Sequence, residues 1–323
     1  MPTKRSFRLA LSPQAAIALT LSLLLLLLSA APAAAAGFGG RGTGDNPYII
    51  ANNAELELLA SLLMDEDAFN NGDVYYRLDA SFANPDQPYQ GPAIGTPDYP
   101  FAANFDGNHR TVSIDFNDET ANAAGLFGMV GATGMVSNVH IAGGIRLGAM
   151  AGNAGAIAAS NYGLIVNCSG AVAISGNEAL SANLGSLVGS NFGDIYNCHA
   201  VGAVSGGIFS YLGGLAGLNE GQIDNCYAAV TVSGDAAAGT GGLIGSNPGG
   251  GIDHSYYLAA DGGLTAIGDS ADPAGVAAKT LAEMQDSAFT ALLNGNRGSW
   301  GAWYQAAADD PLYPGLPQLI AAA

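Results

Sequence analysis

Four histidines, three cysteines and a scatter of carboxylates are the groups in this sequence able to do chemistry. His109, His140, His199 and His254 show neither His-Glu-x-x-His nor His-x-His spacing, so no zinc-protease centre is written here. Glycoside hydrolysis needs two carboxylates about 5–9.5 Å apart. The central region offers Glu178, Asp194, Glu220, Asp224, Asp235 and Asp253. Asp194 precedes the strand that contains Asp224, so these two are out of register and read as solvated surface acids. Arg146 is the only basic residue between 122 and 260, which leaves a lyase without a base beside calcium-binding acids. Nucleophile-elbow, phosphate-loop and dinucleotide motifs are absent from the sequence. Asp106-Gly107-Asn108 resembles a fragment of a calcium loop, but the other ligands are missing and a β-turn is expected. The sequence assigns no catalytic residue, cofactor or metal.

The cysteines instead expose the organisation of the chain. Asn-Cys pairs fall at 167–168, 197–198 and 225–226, separated by 30 and 28 residues. Around them recurs G-x-L-V-G-x-N-x-G-x-I-x-N-C-x-A followed by x-V-S-G. The copies are Ala154–Gly176, Ala182–Gly206 and Leu212–Gly234, with frayed ones at Ala123–Gly144 and Gly241–Ala259. Such a period means stacked units that bury their apolar faces on one another. The apolar runs are short and β-branched, with Gly or Asn between them and no stripe long enough for a helix. Three strands per copy are predicted, around Leu215–Ala216, Ile223 and Val230–Val232, each in a parallel sheet about 4.8 Å from its counterpart. That is a parallel β-helix, about five coils over 122–260.

Alternation places Ile165, Ile195 and Ile223 inward and Val166, Tyr196 and Asp224 outward. Asn167, Asn197 and Asn225 belong at a corner, where Asn tolerates left-handed angles, and their amides can form a ladder. The bend turns Cys168, Cys198 and Cys226 inward. In-register neighbours are poorly placed for a disulfide, so a column of buried thiols is expected, continued by Val139 and Ser255.

These copies resemble the GLUG motif, a repeat of bacterial exported proteins. Gly125-Leu126-Phe127-Gly128, Gly214-Leu215-Ala216-Gly217 and Gly242-Leu243-Ile244-Gly245 carry its Gly-Leu-x-Gly signature, while the Ala154–Gly176 copy has Ala156 and Ala159 in place of the two glycines. The resemblance covers residues 122–260 and, more loosely, both flanks. It implies an all-β, right-handed parallel β-helix on adhesin-like surface proteins, and it implies no activity.

The first 36 residues read as a secretory signal peptide: Lys4, Arg5 and Arg8, the apolar Leu9–Leu28, then Ala34-Ala35-Ala36. An uncleaved membrane anchor is the alternative. The full chain has 323 residues and a formal charge of −18; without those three basic residues the mature portion carries −21. So acidic a protein excludes nucleic acid and disfavours anionic membranes. Residues 37–121 look like an N-terminal cap with lead-in strands. They include a helix from Asn52 or Asn53 to about Met64, and two strands around Asp106-Gly107-Asn108. Residues 261–323 read as a linker and C-terminal cap. Its helix begins at the capping box Thr280–Glu283, with Leu281, Met284, Ala288 and Leu292 on the apolar face. Trp300 and Trp303 follow, as a lid for the last coil.

One surface feature suits binding. Tyr162 and Phe192 share a turn position in successive copies, followed there by Glu220 and Pro248, and Tyr196 and Tyr227 add outward aromatics. Such a row could stack on a glycan or protein outside the cell, or simply on itself. The expectation is a non-enzymatic, exported or cell-surface binding protein. A carbohydrate-active β-helix enzyme and a purely structural spacer are the alternatives.

Overall fold

The computed structural model describes residues 37–64, 67–118, 123–148, 152–176, 181–234, 239–259 and 263–319. The proposed signal peptide lies outside these residues. The chain forms a right-handed parallel β-helix. One coil is seen in Tyr211–Gly213, Ala216–Asn219, Gln222–Asp224 and Tyr227–Gly234. Each segment pairs in parallel with its counterpart one coil away, as in Ile195↔Ile165 and Ile195↔Ile223. A coil therefore has four strands. The one unforeseen from sequence, Tyr211–Gly213, is too short and glycine-rich to show a period.

The glycines of Gly214-Leu215-Ala216-Gly217 are required by two different close approaches. A Cβ on Gly214 would lie 2.2 Å from the Gly242 carbonyl oxygen in the next coil. A Cβ on Gly217 would lie 2.4 Å from the Leu184 amide nitrogen, on a different strand of the preceding coil. Leu215 between them is fully buried. The motif thus writes stacking along the axis, apolar filling and cross-coil contact in four letters.

The inward column holds as expected and runs further. Tyr48, Tyr76, Phe105, Val136, Ile165, Ile195, Ile223 and Ile252 are successive register partners, spanning seven turns. The region expected as a cap therefore begins the solenoid itself. Helix α1, Asn53–Leu62, is present, capped by Asn52 and burying Leu56, Leu59 and Ala60. The two strands expected around Asp106-Gly107-Asn108 are instead one long strand, Asn104–Asp118, that bends. Its halves pair in parallel with residues 135–137 and 139–147 across a register shift, so no hairpin forms. Asn108 and His109 take positive φ there, making this an earlier corner of the same solenoid.

Asn138, Asn167, Asn197 and Asn225 have φ between 51° and 55°, the left-handed corner that Asn tolerates best. Their amides form the expected ladder. Asn167 donates to Asn138 at 3.1 Å, Asn197 to Asn167 at 2.7 Å, and Asn225 to Asn197 at 2.8 Å. A second ladder runs through the N-x-G turn: Asn161, Asn191, Asn219 and Asn247, each bond 2.8 Å. Cys168, Cys198 and Cys226 are free and fully buried. The amide of Cys168 approaches the Cys198 sulfur at 3.3 Å, and that of Cys198 the Cys226 sulfur at 3.4 Å.

Two measurements test this core. Ile195→Ala should cost about 2–5 kcal/mol in denaturant unfolding through lost burial and the cavity left; an unchanged midpoint would contradict the buried column. The native chain should react slowly with a thiol reagent, because burial pushes the Cys198 thiol well above its usual range. Unfolding without reductant should then release three titratable thiols, whereas a single one would mean a disulfide.

Candidate functional site

The aromatic positions separate into three environments. Tyr162 and Phe192 stack face to face, with ring centroids 4.7 Å apart and planes 12° apart. Tyr162 is 45% exposed. The turns that flank the pair along the axis carry Thr133 on one side and Glu220 on the other. Tyr196 stacks instead on Trp300 of the C-terminal segment, at 6.0 Å and 12°. Tyr227, expected outward and available, points out of the coil but is fully buried. The exposed row is thus a pair.

The cause is the C-terminal cap. It packs on the side of the solenoid rather than closing its last coil. Helix α2, Leu281–Met284, keeps the expected capping box, and Asp286 then starts a second helix, α3, Ser287–Asn296. That break resets the apolar face to Met284, Phe289 and Leu293, leaving Leu281 and Leu292 exposed. With Trp303, Tyr313 and Leu316 these residues cover Val201, Tyr227 and Tyr256 on the outer sheet surface, a second core.

The corner ladder supplies the polar part of this contact. Trp303 Nε1 donates to Asn197 Oδ1 at 2.6 Å, and Asn197 Nδ2 donates to the Gly301 carbonyl at 3.0 Å. The Gly301 amide donates to Asn167 Oδ1 at 3.1 Å, and Asn225 donates to the Leu293 carbonyl at 3.1 Å. Tyr227 donates its hydroxyl to the Pro317 carbonyl.

Beneath the cap lie two of the four histidines. His199 stacks on Tyr227 at 5.0 Å and meets Trp303 and Tyr313 at 5.4 and 4.9 Å. Neither of its ring nitrogens has a hydrogen-bond partner among the described residues. His140 Nδ1 is 2.6 Å from Ser169 Oγ, which is 2.7 Å from the Tyr313 hydroxyl. By distance, Ser169 and His140 form a nucleophile-and-base contact. Ser169 is fully buried, however, and Tyr313 occupies its other side. The backbone at Leu319 stands by His140 where an orienting carboxylate would be needed. The arrangement docks the cap and leaves no access for a substrate.

Register also reveals a carboxylate pair that the sequence hides. Asp224 and Asp253 are partners on adjacent coils. His254 occupies the corner after Asn225, with φ 40°, its Nδ1 at 3.0 Å from Asp224 and 3.6 Å from Asp253. The signal was spacing alone, since the frayed copy places Asp253 one coil beyond Asp224. Asp194 pairs with Gln222, as its offset required. No cluster of three or more His, Cys, Asp or Glu able to hold a metal occurs among the described residues. No helix among them is long and apolar enough to cross a membrane.

Stacked turns, two Asn ladders and a laterally docked cap define a parallel β-helix repeat protein. Its repeats are of the GLUG type, and residues 210–233 match the family model described as the GLUG motif. A solved structure from Bacteroides ovatus, described as a "putative immunoglobulin A1 protease", is similar over 87% of this chain and 94% of that one. Its TM-score is 0.58 at 21% identity, a likeness of fold alone. No curated protein matches the chain.

Burial sets the pH behaviour of the cap. It pushes His199 well below its usual range, with His140 adding to the effect. It lowers His140 from 6.5 to about 4, helped by the neighbouring His109 and Arg110 and opposed by the Leu319 backbone. The docked state holds both rings neutral, so the undocked chain binds protons first as pH falls. Docking is fully present above pH 6.5 and is lost toward pH 4, by roughly 3 kcal/mol for His140 alone. Denaturant melts followed by tryptophan fluorescence should show this loss, and His140→Gln should reduce it to the share that His199 contributes. A midpoint constant from pH 7 to 4 would place both rings in water.

Proposed function

We propose that this is a non-enzymatic, exported binding protein that engages an extracellular partner through the solenoid surface, with Tyr162 and Phe192 as the contact. The supporting observation is the exposed, parallel Tyr162–Phe192 stack. The outward end of such a stack offers apolar ring carbon at little conformational cost, which suits a sugar ring or a flat protein side chain. Tyr196 and Trp300 extend the aromatic surface around the corner. Export rests on the basic, apolar and small-residue order of the first 36 residues.

A carbohydrate-active enzyme is the second reading, and the in-register Asp224 and Asp253 favour it. Both are substantially exposed and both face His254. Both carboxylates are thus open to solvent and already share one imidazole as their partner.

Glycan and matrix-protein arrays probed with the purified chain test the first reading. Binding should fall at least tenfold in Tyr162→Ala/Phe192→Ala while the melting temperature moves little. Equal binding by this variant would remove the pair from the contact. Polysaccharide cleavage lost in Asp224→Asn would replace binding with catalysis.

A further inference from the structure

We infer that a second site, a cleft of about 470 Å³ around Arg146, binds a sugar bearing a carboxylate. Its volume falls within the usual range for small-ligand sites, about 300–1,000 Å³. Arg146 is the only Lys or Arg in 122–260, within a chain of net charge −18. Register fixes it on the outer sheet surface between Asn117 and Ser175. Among the described residues no carboxylate lies within ion-pairing distance of it. The nearby Asp115 instead accepts from Gln90 Nε2 at 3.1 Å. The planar guanidinium fork, with no ion-pair partner among the described residues, can hold a carboxylate with two parallel bonds.

The wall facing Arg146 is held in place before any ligand arrives. Tyr89 bridges to Ile114, and its hydroxyl donates to the Pro92 carbonyl at 2.6 Å, closing the Gln90–Ala93 loop. Phe116 meets Tyr89 edge-on at 6.1 Å and lines the cleft. Ring carbon, two side-chain amides, a carboxylate and a guanidinium around one recess match a pyranose with hydroxyls and one acidic group. A ligand with several acidic groups, such as an oligouronide or an extended acidic peptide, fits less well than a sugar with one, because its further charges would meet the negative field of the whole protein. A uronate and a sialate share the required chemistry.

Calorimetric titration of the purified chain with an oligosaccharide bearing a single uronate, a sialyl-oligosaccharide, an acidic peptide and the carboxyl-reduced form of each sugar tests the assignment. At least one acidic sugar should bind, and its reduced form should bind at least tenfold more weakly. The sugar that binds identifies the source of the carboxylate. Arg146→Ala should cause a similar loss with an unchanged melting temperature, and Arg146→Lys a smaller one. Gln90→Ala should also weaken binding, giving a variant that leaves the guanidinium in place. Tyr162→Ala/Phe192→Ala should leave this titration unchanged, so the cleft and the aromatic pair stand or fall separately. Equal binding of the reduced sugar, no effect of Arg146→Ala, preference for the peptide, or no binding by either sugar would overturn the assignment.

Discussion

Stacking at the spacing of a parallel sheet sets every residue directly on its counterpart, so each position must tolerate a copy of itself about 4.8 Å away. Few side chains do so at no cost. Ile and Cys bury against themselves. An Asn amide donates to one neighbour and accepts from the other, as Asn167 and Asn197 do between Asn138 and Asn225. Like charges in register repel, and a chain with only 11% charged residues accords with that pressure. Glycine enters where even a methyl group would meet a neighbouring backbone, at Gly214 and Gly217. The repeat signature is the residue set that this one spacing permits.

The same constraint explains how the cap can dock on the side. An in-register ladder leaves lone pairs and N–H groups at its outer edge, repeated up the axis. Trp303, Gly301 and Leu293 use those on Asn167, Asn197 and Asn225. Aromatic groups then fill the neighbouring outer positions, where His199 and Tyr227 stand on adjacent coils. Burying neutral imidazole makes the interface dry and ties its strength to protonation. The corner Asn thus performs two tasks, setting the backbone bend and presenting the docking groups.

What could be read from the sequence follows from where the information resides. Ile165, Ile195, Ile223 and the Asn-Cys corners were legible because near-identical letters recur at one period. The earlier turns kept that period but changed letters, with Tyr76 and Phe105 in the column that later holds Ile. Large buried rings stand there in place of Ile, so the column stays filled while the motif vanishes. The Asn161–Asn247 ladder was visible in the spacing, but its Asn looked like an ordinary turn residue. The side docking of the cap was illegible for another reason. Trp303 meets Asn197 across 106 residues, and no local pattern encodes such a contact. Burial of Tyr227 followed from that contact, which is why its outward direction was read correctly and its exposure was not.

A strict repeat also makes its exceptions informative. Column positions answer to stacking, so a residue that gains nothing from stacking calls for another explanation. Tyr162 and Phe192 occupy a turn whose other copies hold Glu220 and Pro248, so two coils alone present rings there. Arg146 stands between Asn117 and Ser175, in a column where no other basic residue occurs. His254 takes the corner that Asn fills elsewhere and brings Asp224 and Asp253 to one imidazole. Their surroundings divide these exceptions. The His254 cluster satisfies itself, because the acids and the imidazole are one another's partners. Tyr162 keeps exposed ring carbon, and Arg146, beside a braced loop, has no ion-pair partner among the described residues. Unspent interaction capacity on a scaffold that is otherwise self-complementary is where a partner gains the most from binding.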